Sequence, residues 1–275
     1  TPLLSIVIPA YNWGRYVGYA IESVLEQSMK DFELIIVNNG STDNTDEVVK
    51  TYLSDSRVRY LIKEKNTGPL DGLKIGFAEA KSRYVTILCA DDFYLPGAFE
   101  TLAREAAEHP EYDIIYGKYY IVNSDNEITR WLEHPGWNDV VRIQRKSDLA
   151  DLLQYDLYIA IAAAFIKIDM FRKYPFDEKM RVIDYEFILQ LAQDDRKFHF
   201  VDRYLYAHRH HSEQLTVGDN FIVDGTQLKD QLTLIERFVQ PKNYAKLDGA
   251  QEGILRLLNQ KITALENFQE SAAKI

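Results

Sequence analysis

The stretch "LCADDFYLP", Leu88 to Pro96, sets two adjacent carboxylates, Asp91 and Asp92, directly after an apolar run. Like charges so close repel, so a pair that stays ionised needs a cation, several hydrogen-bond donors or ample water. Holding a divalent ion is the chemical use of such a pair; filling a surface turn is its structural use, and alone the dipeptide favours the turn. A second group, His208, Arg209, His210 and His211, is consecutive. On an extended strand His208 and His210 face one way and Arg209 and His211 the other, which leaves a basic surface patch and metal ligation by His211 both open. A third, "VIDYEFILQLA" at Val182 to Ala192, places Asp184 and Glu186 at the start of a helical pattern whose stripe is Ile188, Leu189, Leu191 and Ala192. A carboxylate there can act as a general base or simply cap the helix.

Positioning these groups requires a scaffold, and the chain alternates strand and helix patterns. "LLSIVIP", "FELIIVNN", "VRYLIK" and "YVTILCA" read as buried strands. Between them Val17, Ala20, Ile21, Val24 and Leu25 share one helical face, "STDNTDEVVKTYL" opens with capping residues, and "GLKIGFAEA" and "PGAFETLAREAAEH" complete the alternation. Continuous Val, Ile and Leu runs separated by amphipathic helices predict an α/β fold, a mostly parallel central sheet with helices on both faces. Ligands of such sheets sit outside the carboxyl ends of the strands. That rim would gather Pro9, Tyr11 and Asn12 after the first strand, Asn38 and Asn39 after the second, and Asp91 and Asp92 after the fourth.

With 275 residues and 46% hydrophobic content the chain can bury a large core. Its formal charge, 32 minus 42 or −10, disfavours a protein that coats nucleic acid. A single cysteine, Cys89, excludes an internal disulfide and a cysteine-rich zinc site, and is expected to finish the buried fourth strand as a packing residue. No apolar run approaches the roughly 20 residues of a bilayer crossing and no basic, apolar leader opens the chain, so the expectation is a soluble, unexported protein.

Six ordered segments carry a family resemblance: "SIVIPAYN" at Ser5 to Asn12, "VNNGSTDNT" at Val37 to Thr45, "NTG" at Asn66 to Gly68, "CADD" at Cys89 to Asp92, "VIDYEFILQLA", and "HRHHSEQLT" at His208 to Thr216. In order and spacing they resemble the family 2 glycosyltransferases of the GT-A fold, over roughly the first 220 residues. The resemblance implies an inverting, metal-assisted transfer of a sugar from a nucleotide-diphosphate donor, in uridine-linked form, to a hydroxyl of a glycan or lipid-linked saccharide. It makes Asp92 the ligand of Mn2+ or Mg2+, Asp91 a contact to the ribose or an aid to orienting the donor, and His211 a second ligand or a pyrophosphate contact. Tyr11 would stack on the base, Asn39 accept from it, and Pro9 and Asn12 shape the pocket floor. Asp184 becomes the general base and Glu186 its partner or an acceptor contact. Members of this kind build bacterial surface polysaccharides, which implies a cytoplasmic enzyme with peripheral contact to the inner face of the membrane.

Departures from the family pattern stand at Asn39 and Cys89, where members carry Asp or an acid, at Ile183, where they carry Glu, and at Gly72 to Lys74. Lys74 supplies charge to the phosphates or is a solvated helix residue. Trp131 and Trp137 in "WLEHPGWN", with Tyr119 and Tyr120, offer flat faces to a sugar ring or pack in the core. A boundary near Gly218 divides a catalytic domain, residues 1–217, from a C-terminal helical extension, residues 218–275. Its stripes are Phe221, Leu228, Leu232, Ile235 and Val239, then Leu258, Ile262 and Leu265, suited to packing or to a homodimer seam. Two rival readings are a non-catalytic binding module for glycans or nucleotide sugars, and a sugar nucleotidyltransferase, which lacks support because "AYNWGRYVG" is poor in glycine.

Overall fold

A computed structural model describes residues 1–137, 147–212, 214 and 225–272. The proposed boundary at Gly218, the stripe residue Phe221 and Glu213, Leu215 and Thr216 of "HRHHSEQLT" lie outside the described residues. Within them the chain forms two compact units, interleaved in sequence. One comprises Thr1–Leu132, Ile159–Lys173 and Lys197–Arg209; the other Glu133–Tyr158, Tyr174–Arg196 and His210–Ile275.

The first unit is built on one sheet. Its strands are β1 (Leu4–Ala10), β2 (Phe32–Asn38), β3 (Val58–Ile62), β4 (Tyr84–Ile87), β5 (Phe93–Tyr94), β6 (Ile114–Val122), β7 (Ile128–Trp131), β8 (Ala164–Lys167) and β9 (Phe198–Arg209). They run in the order β3-β2-β1-β4-β8-β6-β9-β5, with β7 paired to β6. Every residue of β2 is buried, as is all of β1 except Pro9, which is why these segments read as unbroken apolar runs. Helices α1 (Val17–Leu25), α2 (Thr45–Lys50), α3 (Pro69–Glu79) and α4 (Ala98–Glu108) follow β1, β2, β3 and β5. A Cβ on Gly76 would lie 2.2 Å from Val7 Cγ1, so this glycine lets α3 lie directly on β1.

The expected parallel arrangement holds across β3-β2-β1-β4 and between β6 and β9. The ladders β4-β8, β8-β6, β6-β7 and β5-β9 are antiparallel. For β6 and β7 the reason is local: a short turn at Asn123, where Asn126 takes φ +66°, joins the two strands, and consecutive strands so joined pair antiparallel. Ala10 stands opposite Asn38, and Leu88 N–H continues the β4 ladder onto Val7 O at 3.0 Å. The segments that follow β1, β2 and β4 therefore leave the sheet at one edge.

The second unit is helical. Gln251–Ala272 packs on Asp148–Tyr155 and on Thr226–Phe238, and Asp148–Tyr155 packs on Ile183–Gln193. The last helix is rotated from the expected stripe: Ile254, Leu257 and Lys261 are buried, Leu258 and Leu265 are half-buried, and Ile262 is 38% exposed. Two contacts set that rotation. Gly253 meets Gln154, where a Cβ would come within 2.7 Å of Oε1, and Lys261 Nζ reaches Asp156 Oδ2 at 2.5 Å and Gln231 Oε1 at 2.8 Å. A buried lysine held by an acid fixes a helix face that apolar counting does not reveal.

Candidate functional site

Strand β4 ends at Ile87, and Leu88 is still buried. The next residue faces out, so Cys89 is exposed and the expectation of a core cysteine is corrected. Asp92 N–H returns to Cys89 O at 3.1 Å, closing a turn that brings the thiol and the carboxylates of Asp91 and Asp92 within 4.8 Å of one another.

The two carboxylates differ. Asp92 is 1% exposed and surrounded by donors from β9. Its Oδ1 accepts from Arg209 N–H at 2.7 Å; its Oδ2 accepts from the Tyr206 hydroxyl and lies 3.2 Å from His208 Nδ1. Burial, with the nearby Asp92 charge, holds the Tyr206 phenol well above its ordinary pKa, so it remains a proton donor. Arg209 is itself buried, its Nε donating to Asp91 O at 2.6 Å and its guanidinium lying 4.7 Å from the Tyr16 ring and 5.5 Å from that of Phe93. The sequence singled out His211 as a ligand, left His208 and Arg209 as a surface patch and passed over Tyr206, whereas Tyr206, His208 and Arg209 surround Asp92. The available signal was the period-2 spacing of Tyr206 and His208, together with β5 directly after Asp92, which pairs Tyr94 with Tyr206.

Along the same edge, Asn39 N–H bonds Ala10 O at 2.8 Å, and its side-chain Nδ2 donates to Asn66 Oδ1 and Gly68 O, both at 2.8 Å. Those two acceptors fix the amide orientation, and the buried Asn39 Oδ1 has no hydrogen-bond partner among the described residues. At Gly40, φ +75°, a Cβ would come within 2.9 Å of Asn66 N, so the "NNG" turn requires a glycine here. Asn12, at φ +58°, accepts from Thr42 N–H at 2.8 Å and so ties the segment after β1 to the one after β2. Tyr11 is 40% exposed beside it, Pro9 lies under Gly72 of α3, and Lys74 is on the exposed face of α3.

The model of glycosyl transferase family 2 matches residues 5–178. The chain belongs to this family. Its relatives include the chondroitin synthase of Pasteurella multocida strain Pm70, 28% identical over 267 residues that cover 94% of this chain and 26% of the synthase. The chain spans 26% to 39% of the length of curated relatives of this kind. S. aureus TarS residues 1–349, solved with UDP-GlcNAc, superposes with a TM-score of 0.67 at 15% identity, over 96% of this chain and 81% of that one. The mannosyltransferase PcManGT from Pyrobaculum calidifontis, solved with GDP-Man and Mn2+, gives 0.67 at 12% identity, over 99% and 75%. The fold is thus the expected GT-A arrangement of a sheet flanked by helices, with helices at the C-terminal end. Among the described residues no helix is long and apolar enough to cross a membrane.

Trp131, 54% exposed, closes an aromatic edge with Tyr120 and Tyr204, whose rings lie 5.1 and 4.7 Å away. Trp137 is buried in the second unit and donates its indole N–H to Tyr158 O at 3.1 Å, so it packs there and offers no face to a ligand. The second unit also carries His211, which is buried, and the helix Ile183–Gln193. Asp184 is half-buried in the first turn of that helix, not at its N-cap, and accepts from Tyr185 N–H at 2.9 Å. Glu186 is buried and accepts from Gln190 Nε2 at 2.6 Å and Arg237 at 3.3 Å; burial raises its pKa above the ordinary 4.5. Those partners give Glu186 a packing role within its own unit.

Proposed function

We propose that the chain is an inverting glycosyltransferase that takes a sugar from a uridine-linked nucleotide-diphosphate donor to a hydroxyl of a glycan or lipid-linked saccharide. The observation that carries this reading is the pairing, on one sheet edge, of the acidic turn at Asp91 with the buried, unpartnered oxygen of Asn39. A pyrimidine imino N–H is a donor that such an oxygen accepts, and Tyr11 offers the ring face on which a base stacks.

The donor set fits a hard divalent cation: carboxylate oxygens suit Mn2+ or Mg2+, and Cys89 adds a sulfur where other members have an acid. We assign the ion to the Asp91–Asp92 pair, with Asp92 held in place by Arg209, Tyr206 and His208. When bound, that ion neutralises charge on the departing diphosphate. The chain's own residues do the rest. Asn39, Tyr11, Pro9 and Asn12 hold the nucleotide. Asp184 takes the proton from the acceptor hydroxyl as its oxygen attacks, without a covalent intermediate. His211 contacts the pyrophosphate, and Trp131 presents a face to the acceptor sugar. A lipid-linked acceptor would bring the enzyme to the cytoplasmic face of the membrane as a peripheral protein.

The test is thermal stabilisation by a panel of nucleoside diphosphates with and without manganese, followed by sugar transfer from the donor that stabilises most. A manganese-dependent shift specific to the uridine nucleotide supports the reading. Asp184→Asn is expected to keep that shift and lose turnover. No shift with any nucleotide, or full turnover by Asp184→Asn, sinks it.

A further inference from the structure

Away from the acidic turn, the first unit carries a second convergence of ligand-bearing side chains. Glu105 and His109 stand one helical turn apart at the C-terminal end of α4, and His199 stands on β9 opposite Ile115. Both imidazoles direct Nε2 at a single oxygen: His199 Nε2 is 3.0 Å from Glu105 Oε2 and His109 Nε2 is 4.0 Å from it. The two rings lie 4.4 Å apart, and Tyr112 walls them, 4.9 Å from His199 and 5.9 Å from His109. All three residues are half-buried, and one ligand atom from each lies within 4.8 Å of the others.

We propose that Glu105, His109 and His199 form a binding site for a divalent transition metal of the zinc type, separate from the acidic turn and beyond the glycosyl-transfer reading. Ligand atoms about 2.0–2.1 Å from a tetrahedral zinc stand roughly 3.3 Å from one another. The 3.0 and 4.0 Å separations bracket that value, so sub-ångström side-chain adjustment seats the ion. Two nitrogens and one carboxylate oxygen are the donor set that zinc accepts in sites with an open fourth position.

The surroundings orient these ligands. Glu111 Oε1 lies 3.8 Å from His109 Nδ1, on the far side of the ring from Glu105, and so favours the tautomer that leaves Nε2 able to coordinate. Arg104 occupies the other Glu105 oxygen, Oε1, at 3.3 Å, which leaves Oε2 as a monodentate ligand. The hydrogen bond from His199 holds the Glu105 carboxyl below its ordinary pKa, so it is ionised near neutrality. The carbonyl end of an eleven-residue helix adds negative potential beside His109.

The experiment is a zinc chloride titration by calorimetry on the full chain in a Cys89→Ser/Asp91→Asn background, which removes two of the three ligand groups of the acidic turn. One zinc per chain is expected. Adding His109→Ala or His199→Ala is expected to lower the affinity tenfold or more, with folding checked by circular dichroism. If the background variant fails to fold, zinc-soaked crystals of the unaltered chain read the position directly, as an anomalous peak between the three side chains. Zinc affinity unchanged by both histidine substitutions, or no peak at the cluster, overturns the proposal. Absence of manganese-dependent nucleotide binding by the unaltered chain, with zinc binding at the cluster intact, would instead count only against the transferase reading.

Discussion

Arg209 holds Asp92 with its main chain and the neighbouring peptide with its side chain. Its N–H lies 2.7 Å from Asp92 Oδ1 while its Nε lies 2.6 Å from the carbonyl oxygen of Asp91. The turn that presents Asp91 is thereby bolted to the last residue of β9, and buried charge is satisfied by fixed donors instead of water.

The two aspartates should part company on substitution. Asp92→Ala strands the buried Arg209 N–H and Tyr206 hydroxyl, and each orphaned buried donor costs about 1–3 kcal/mol. A loss of about 3 kcal/mol or more is expected in urea unfolding. Asp91→Asn, which keeps the size of this buried side chain, should cost less than Asp92→Ala and weaken manganese-dependent nucleotide binding. Equal unfolding midpoints for the two variants would refute the division of roles.

Arg209→Lys keeps the charge and loses the planar fork and its stacking on Tyr16 and Phe93. The expected result is a fall of about 3 kcal/mol in stability together with weaker nucleotide binding. A lysine variant as stable as the parent chain would show that the guanidinium contacts are incidental.

Asn39→Asp, although it restores the residue common in the family, should not improve this chain. The amide donates to Asn66 Oδ1 and Gly68 O, and a carboxylate would face those same two oxygens. A loss of about 1–3 kcal/mol and no gain in uridine-nucleotide stabilisation are expected. Tighter nucleotide binding by this variant is the contrary outcome.

Glu186 gives a pH signature. Its folded pKa is raised by burial above 4.5, so between 4.5 and that raised value the folded chain binds more protons than the unfolded one. Stability from this group is present in acid and is lost as pH rises through the window. Glu186→Gln lacks the titration, so its unfolding free energy relative to the parent should climb as pH increases above 4.5 and then level off. A difference that is flat with pH, or that falls, contradicts the assignment.

Trp131→Ala tests the exposed aromatic edge. Stability should stay within about 0.5 kcal/mol, donor affinity should not change, and KM for the acceptor should rise several-fold. An unchanged acceptor KM removes Trp131 from the site.

Local pattern was sufficient for much of this protein. The Val and Ile runs of β1, β2 and β4 announce strands buried on both faces, the spacing of Val17, Ala20, Ile21 and Val24 announces α1, and the order of short motifs announces the family. The rim residues Asn12, Asn39, Asp91 and Asp92 follow, because in a parallel sheet the ends of such strands must meet at one edge. Only tertiary structure decided what holds Asp92 in place. The donors to Asp92 stand more than a hundred residues further along the chain, and a hydrogen bond across that separation leaves no periodicity in the sequence. The same reason hid the exposed Cys89, the face of Gln251–Ala272 that Lys261 selects, and the meeting of Glu105 and His109 with His199: each is set by a partner on another element, whose position depends on the packing of the whole unit.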